Sequence, residues 1–107
     1  GRTLHLDVRV SRTELCERQS YDMAAVRVRI LDEYGAVASY AQLPVELHAE
    51  GDIALAGTDT VTAEGGMCGT YVRSLGRAGR GTLRIKAAGM DEVSIDFTVT
   101  TGEAAYV

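Results

Sequence analysis

Tyr21-Asp22-Met23-Ala24-Ala25-Val26-Arg27-Val28-Arg29-Ile30-Leu31-Asp32-Glu33-Tyr34-Gly35-Ala36-Val37 is the stretch on which the fold turns. Ala24, Val26, Val28 and Ile30 alternate with Ala25, Arg27 and Arg29. A period of two sends successive side chains to opposite faces, so this is a strand with one buried face. It stops at Asp32-Glu33-Tyr34-Gly35, where glycine supplies the positive φ of a tight turn. A short piece over 36–40 follows.

The same alternation recurs outward in both directions. Upstream, Leu4, Leu6, Val8 and Val10 interleave with Thr3, His5, Asp7 and Arg9 and predict a first strand over 3–10. Residues 11–22 turn polar apart from Leu15 and Cys16 and read as a long connection. Downstream, Pro44 opens a strand in which Val45, Leu47 and Ala49 face opposite to Glu46, His48 and Glu50. Gly51-Asp52 is a turn, 53–56 a short strand, and the Thr-, Asp- and Gly-rich residues 58–66 a loop. Residues 67–75 resume an extended pattern, with Cys68, Thr70 and Val72 inward and Tyr71 and Arg73 outward. Gly76–Gly81 reads as a hairpin connection, Leu83, Ile85 and Ala87 as the next inward face, and Val93, Ile95, Phe97 and Val99 as the last. About seven antiparallel strands with turns every 8–12 residues are the profile of an all-β, immunoglobulin-like Greek-key sandwich. No stretch of helical length shows a convincing 3.6-residue period.

The chain has 107 residues, 46% of them hydrophobic and 24% charged, which suits one globular domain. We assign the sandwich to residues 1–101 and a tail or linker to 102–107. No apolar run approaches the roughly 20 residues of a membrane helix, so no membrane partner is expected. A formal net charge of −4 disfavours nucleic acid, whose binders neutralise phosphates with a basic face. The chain starts at Gly1 without a signal segment, as expected of a piece excised from a longer protein, and leaves the compartment open.

Residues that could carry chemistry are few. Cys16 and Cys68 form no metal-ligating spacing. The expected topology puts them at opposite ends of the sandwich, beyond the roughly 7 Å Cα limit of a disulfide, so free thiols are expected. Cys16, Cys68 and the absence of Trp also rule out an antibody-type domain. His5 and His48 lie at outward positions without a ligand-spaced partner, and no calcium-loop motif occurs. No cofactor or metal is expected. The serines lack a nucleophile-elbow context, and the acidic residues fall in turns or on outward faces.

The quoted stretch resembles the strand-turn signature D-x-A-x-V-x-V-x-V-x-D-x-x-G-x-x-V of bacterial immunoglobulin-like domains. More narrowly, it is similar to the C-terminal immunoglobulin-like domain of family 2 glycoside hydrolases, which include β-galactosidases. Val45-Glu46-Leu47, Gly51-Asp52-Ile53-Ala54-Leu55-Ala56-Gly57 and Gly81-Thr82-Leu83-Arg84-Ile85-Lys86-Ala87 agree with that family's later motifs in order and spacing. Before the second strand, Arg18-Gln19-Ser20 stands where the family usually has an Asp-Gly turn. The resemblance implies a non-catalytic accessory domain, because the family's glutamates lie on a barrel of about 250 residues that this chain cannot hold. Neighbouring domains of the parent glycosidase are then the implied partners.

Two other readings stay open, a carbohydrate-binding module and an invasin-like adhesin repeat. Tyr34, Tyr40 and Tyr71 are the candidates for contact with sugar or with a neighbouring domain. Arg73, Arg77, Arg80, Arg84 and Lys86 gather on the expected hairpin, either as a charged edge against aggregation or as a docking patch.

Overall fold

A computed structural model describes residues 3–102. Among them are nine strands: β1 (His5–Val10), β2 (Glu14–Glu17), β3 (Met23–Leu31), β4 (Pro44–Gly51), β5 (Ile53–Leu55), β6 (Thr60–Thr62), β7 (Met67–Ser74), β8 (Gly79–Ala87) and β9 (Val93–Thr101). They form a four-stranded sheet in the order β1-β3-β7-β5 and a five-stranded sheet in the order β2-β9-β8-β4-β6. The inward residues of both sheets close on one core that includes Ile30, Val28, Val72, Val45, Leu83, Ile85, Phe97 and Val99. This is the immunoglobulin-like sandwich that the alternation implies.

The structure has two strands more than the pattern predicts. β2 lies in the expected connection over 11–22 and pairs with β9, with Leu15 opposite Val99. That pairing is parallel, so the strands are not all antiparallel. A four-residue strand carries only one inward side chain, too few to register as alternation, yet Leu15 is 0% exposed. β6 lies in the expected loop over 58–66 and pairs with the start of β4. β5 and β6 run in the same direction along the edges of different sheets, so 53–62 is a single edge segment that crosses between them.

The Gly76–Gly81 segment is not a hairpin connection. β7 pairs with β3 and β5, and β8 pairs with β4 and β9, so residues 75–78 bridge the two sheets. β8 begins at Gly79, inside the glycine run, because the core needs a backbone without a side chain there: a Cβ at buried Gly81 would collide with Ile53. Gly51, at the crossing from β4 to β5, has φ +80° and lies against the Arg80 carbonyl.

Asp22 and Ser74 fasten one end of the sandwich. The Asp22 N–H donates to Ser74 Oγ at 2.9 Å and the Ser74 N–H to the Asp22 carbonyl at 3.0 Å. The Asp22 carboxylate accepts from the N–H groups of Cys16 and Met23. Both cysteines are free. Cys16 sits at this end, whereas Cys68 lies opposite Val28, about 20 Å of strand away from Ser74. The Gly102 N–H donates to the Glu17 carbonyl, and the remainder of the expected tail over 102–107 lies outside the described residues.

Candidate functional surface

Several acidic side chains are drawn into local structure. Asp32 accepts from the N–H groups of Tyr34 and Ala36 and so shapes the turn after β3. Asp52 pairs with Arg77 at 2.6 Å, Glu50 with Arg84 at 2.7 Å, and Asp96 accepts from the Thr82 hydroxyl at 2.8 Å. Asp7 takes two hydrogen bonds from Arg29, at 2.8 and 3.0 Å on one oxygen, and these hold its carboxyl below its ordinary value. Glu46 and Asp59 share a hollow with His48, Arg84 and Lys86 on the outer face of the five-stranded sheet. Both carboxylates are exposed. Among the described residues, no three of His, Cys, Asp and Glu converge as a metal site would require.

The three candidate tyrosines do not form one platform. Tyr34 (86% exposed) and Tyr40 lie in the loop between β3 and β4. Tyr71 (54% exposed) stands on the outer face of the four-stranded sheet, opposite Ala25 on β3. The cationic cluster is likewise dispersed. Arg73 belongs to β7, whereas Arg80, Arg84 and Lys86 lie on β8 in the other sheet, because the segment between them crosses sheets.

What the tertiary structure assembles instead is a different surface around Tyr71. Met23 and Met67 are exposed on the same outer face, at the two ends of the β3–β7 pairing. Arg73 holds its guanidinium 4.4 Å above the Tyr21 ring, so Tyr21 forms the rim of that face. Arg9 and Arg27 are directly paired across β1 and β3, and both are exposed. The outward alternation of β3 and β7 already marks Met23 and Met67. Their union with Tyr71 depends on β3 and β7 being neighbours.

The model of glycoside hydrolase family 2 C-terminal domain 5 matches residues 6–96. The chain belongs to that family. A β-galactosidase from Thermoanaerobacter pseudethanolicus is 34% identical over 85 residues, covering 79% of this chain and 11% of the galactosidase. Among solved structures, a family 2 glycosyl hydrolase from Bacteroides cellulosilyticus superposes with a TM-score of 0.82 at 20% identity. That match covers 89% of this chain and 14% of the hydrolase. A β-glycosidase from Bacteroides vulgatus gives 0.79 at 18% identity, over 88% of this chain and 14% of its own. This C-terminal domain therefore spans a small part of each relative, and the similarity to the solved structures concerns the fold.

Proposed function

We propose that this domain is a non-catalytic module of a family 2 glycoside hydrolase of β-galactosidase type, where it serves as a spacer and packs against neighbouring domains. The observation that carries the reading is the family match over residues 6–96, taken with the acidic side chains of the domain. Hydrolysis of a glycosidic bond uses two carboxyl groups facing each other across the bond, about 5–9.5 Å apart. Here the carboxylates serve turns and ion pairs or stand exposed on the surface. Direct sugar binding has less support. Sugar stacking uses flat aromatic rings, and Tyr71 stands apart from Tyr34 and Tyr40, on a different part of the sandwich.

The test is a nitrophenyl-galactoside assay on three samples: the isolated chain, the parent enzyme, and the parent lacking this domain. The isolated chain is expected to be inactive, and the truncated parent to keep its chemistry while losing stability. Turnover by the isolated chain refutes the reading. Titration of the chain with galacto-oligosaccharides checks the sugar-binding alternative, for which saturable binding abolished by Tyr71→Ala would be required.

A further inference from the structure

The two outer faces of the sandwich differ in kind. On the five-stranded sheet the outward residues include Thr82, Ser94, Asp96, Thr98 and Thr100, Arg84 is paired with Glu50, and the Thr82 hydroxyl donates to Asp96. On the four-stranded sheet the outward positions hold Met23, Met67 and Tyr71, with Tyr21 at the rim. Four of the six exposed large hydrophobics of the described residues thus gather on one side. Tyr71 has small neighbours on two sides, Ala25 across from it and Gly69 as the preceding outward residue on its own strand, with Arg73 following it. An exposed aromatic ring beside small residues is the shape of an interface anchor, and Tyr, Met and Arg are the residue types that interfaces favour.

Charge points the same way. Arg9, Arg27, Arg29 and Arg73 stand on this face, and Asp7 is the carboxylate facing them among the described residues of its strands. Asp7 is already engaged by Arg29, and it reaches Arg9 only at 3.5 Å, with the Arg9 side chain 73% exposed. Like charges directly opposite on paired strands repel. The Arg9–Arg27 pair lines a shallow hollow with Val10, Ser11 and Ala25. A carboxylate entering that hollow would relieve the repulsion. A basic face of this kind is complementary to an acidic surface, and its arginines would repel the same face of a second copy.

We propose that the outer face of the four-stranded sheet is the docking face of this domain and that its occupant is an acidic surface with an apolar centre on a neighbouring domain of the same polypeptide. Tyr71, Met23 and Met67 are its apolar centre, and Arg9 and Arg27 receive a carboxylate from the partner. The inference rests on the accessory-module reading above. Four strands about 4.8 Å apart and about six residues long give a face of roughly 400 Å², or about 800 Å² counted on both partners. That lies within the roughly 600–1,500 Å² of inter-domain contacts.

The experiment is methionine-oxidation footprinting of Met23 and Met67, by peroxide and mass spectrometry, in the isolated chain and in the full-length parent. Both methionines are expected to oxidise several-fold more slowly in the parent, with Met90, on the opposite sheet's connection, as the internal reference. The double substitution Arg9→Glu with Arg27→Glu is expected to restore rapid oxidation in the parent and to leave the rates in the isolated chain unchanged. Lys86→Glu on the other sheet is expected to change neither. Equal rates of Met23 and Met67 oxidation in parent and isolated chain overturn the proposal while leaving the spacer reading intact. Protection of the isolated chain that grows with its own concentration overturns it in favour of self-association. Protection of the isolated chain by galactose or glucuronate overturns it in favour of a sugar site. Glycosidase turnover by the isolated chain would instead sink the underlying reading, and it is scored separately.

Discussion

Leu15→Ala is the substitution that tests most sharply how the sandwich is closed. Leu15 is the one inward side chain of β2 that is fully buried, and it enters the core between the sheets beside Val99, its partner on β9. Removing its three outer carbons forfeits about 0.8 kcal/mol for each buried methylene-sized group. A residual cavity adds to this, and measured leucine-to-alanine costs in cores run from about 2 to 5 kcal/mol. β2 is a four-residue edge strand paired only with β9, so it can settle partly into the space and bring the cost to about 3 kcal/mol. For a domain of this size that corresponds to roughly 12–24 °C in Tm. Urea unfolding followed by circular dichroism, or by tyrosine fluorescence since the chain has no Trp, measures it. Cys16→Ala is the control: Cys16 is the next residue on the same strand and is exposed, so it should shift stability by less than about 0.5 kcal/mol. If the two substitutions cost the same, Leu15 does not anchor the strand and the account of β2 is wrong.

Ser74→Ala removes the hydroxyl that accepts from the Asp22 N–H in a fully buried position, and it should cost about 1–3 kcal/mol by the same urea measurement. A loss below about 0.5 kcal/mol would mean that water replaces the hydroxyl. The Asp7–Arg29 pair sets a pH dependence. Because Arg29 lowers the folded-state pKa of Asp7, the pair's stabilisation is complete above the unfolded value near 4 and fades as pH falls through it toward the folded value. The pair is partly exposed, so Asp7→Asn should differ from the native chain by no more than about 1 kcal/mol at pH 6. That difference should shrink by pH 2, and a constant one would exclude the linkage. The thiols should separate kinetically. Burial pushes the Cys68 thiol up and keeps it neutral, while Cys16 is exposed, so a maleimide at pH 7 should label Cys16 first. Equal labelling rates would contradict the packing around Cys68.

Most of the fold is legible from residue order. β3 over Met23–Leu31 and β4 from Pro44 coincide with their expected bounds, because nine and eight residues display several alternations each. The two additional strands have a common cause. β2 and β6 are four and three residues long, and a segment that short holds one or two inward side chains, too few for periodicity to reveal. Glycine also serves two ends in β8, where Gly79 packs against Asp52 and Gly81 against Ile53, so a glycine run there does not mark a hairpin. Among the candidate contact residues, Tyr71 shares a face with Met23 and Met67, while Tyr34 and Tyr40 lie in the loop between β3 and β4.

By itself the sequence determines which side of each long strand meets the core, because that choice is made locally, one residue after another, by whether a side chain is apolar. It also determines the turns that Asp32 and Gly35 enforce. Only the tertiary structure decides which strands are neighbours and hence which outward residues share a surface. Ala25 meets Tyr71, and Arg9 meets Arg27, through pairings between segments distant in the chain. Those pairings are settled by how two sheets close on one core, and no local pattern encodes them.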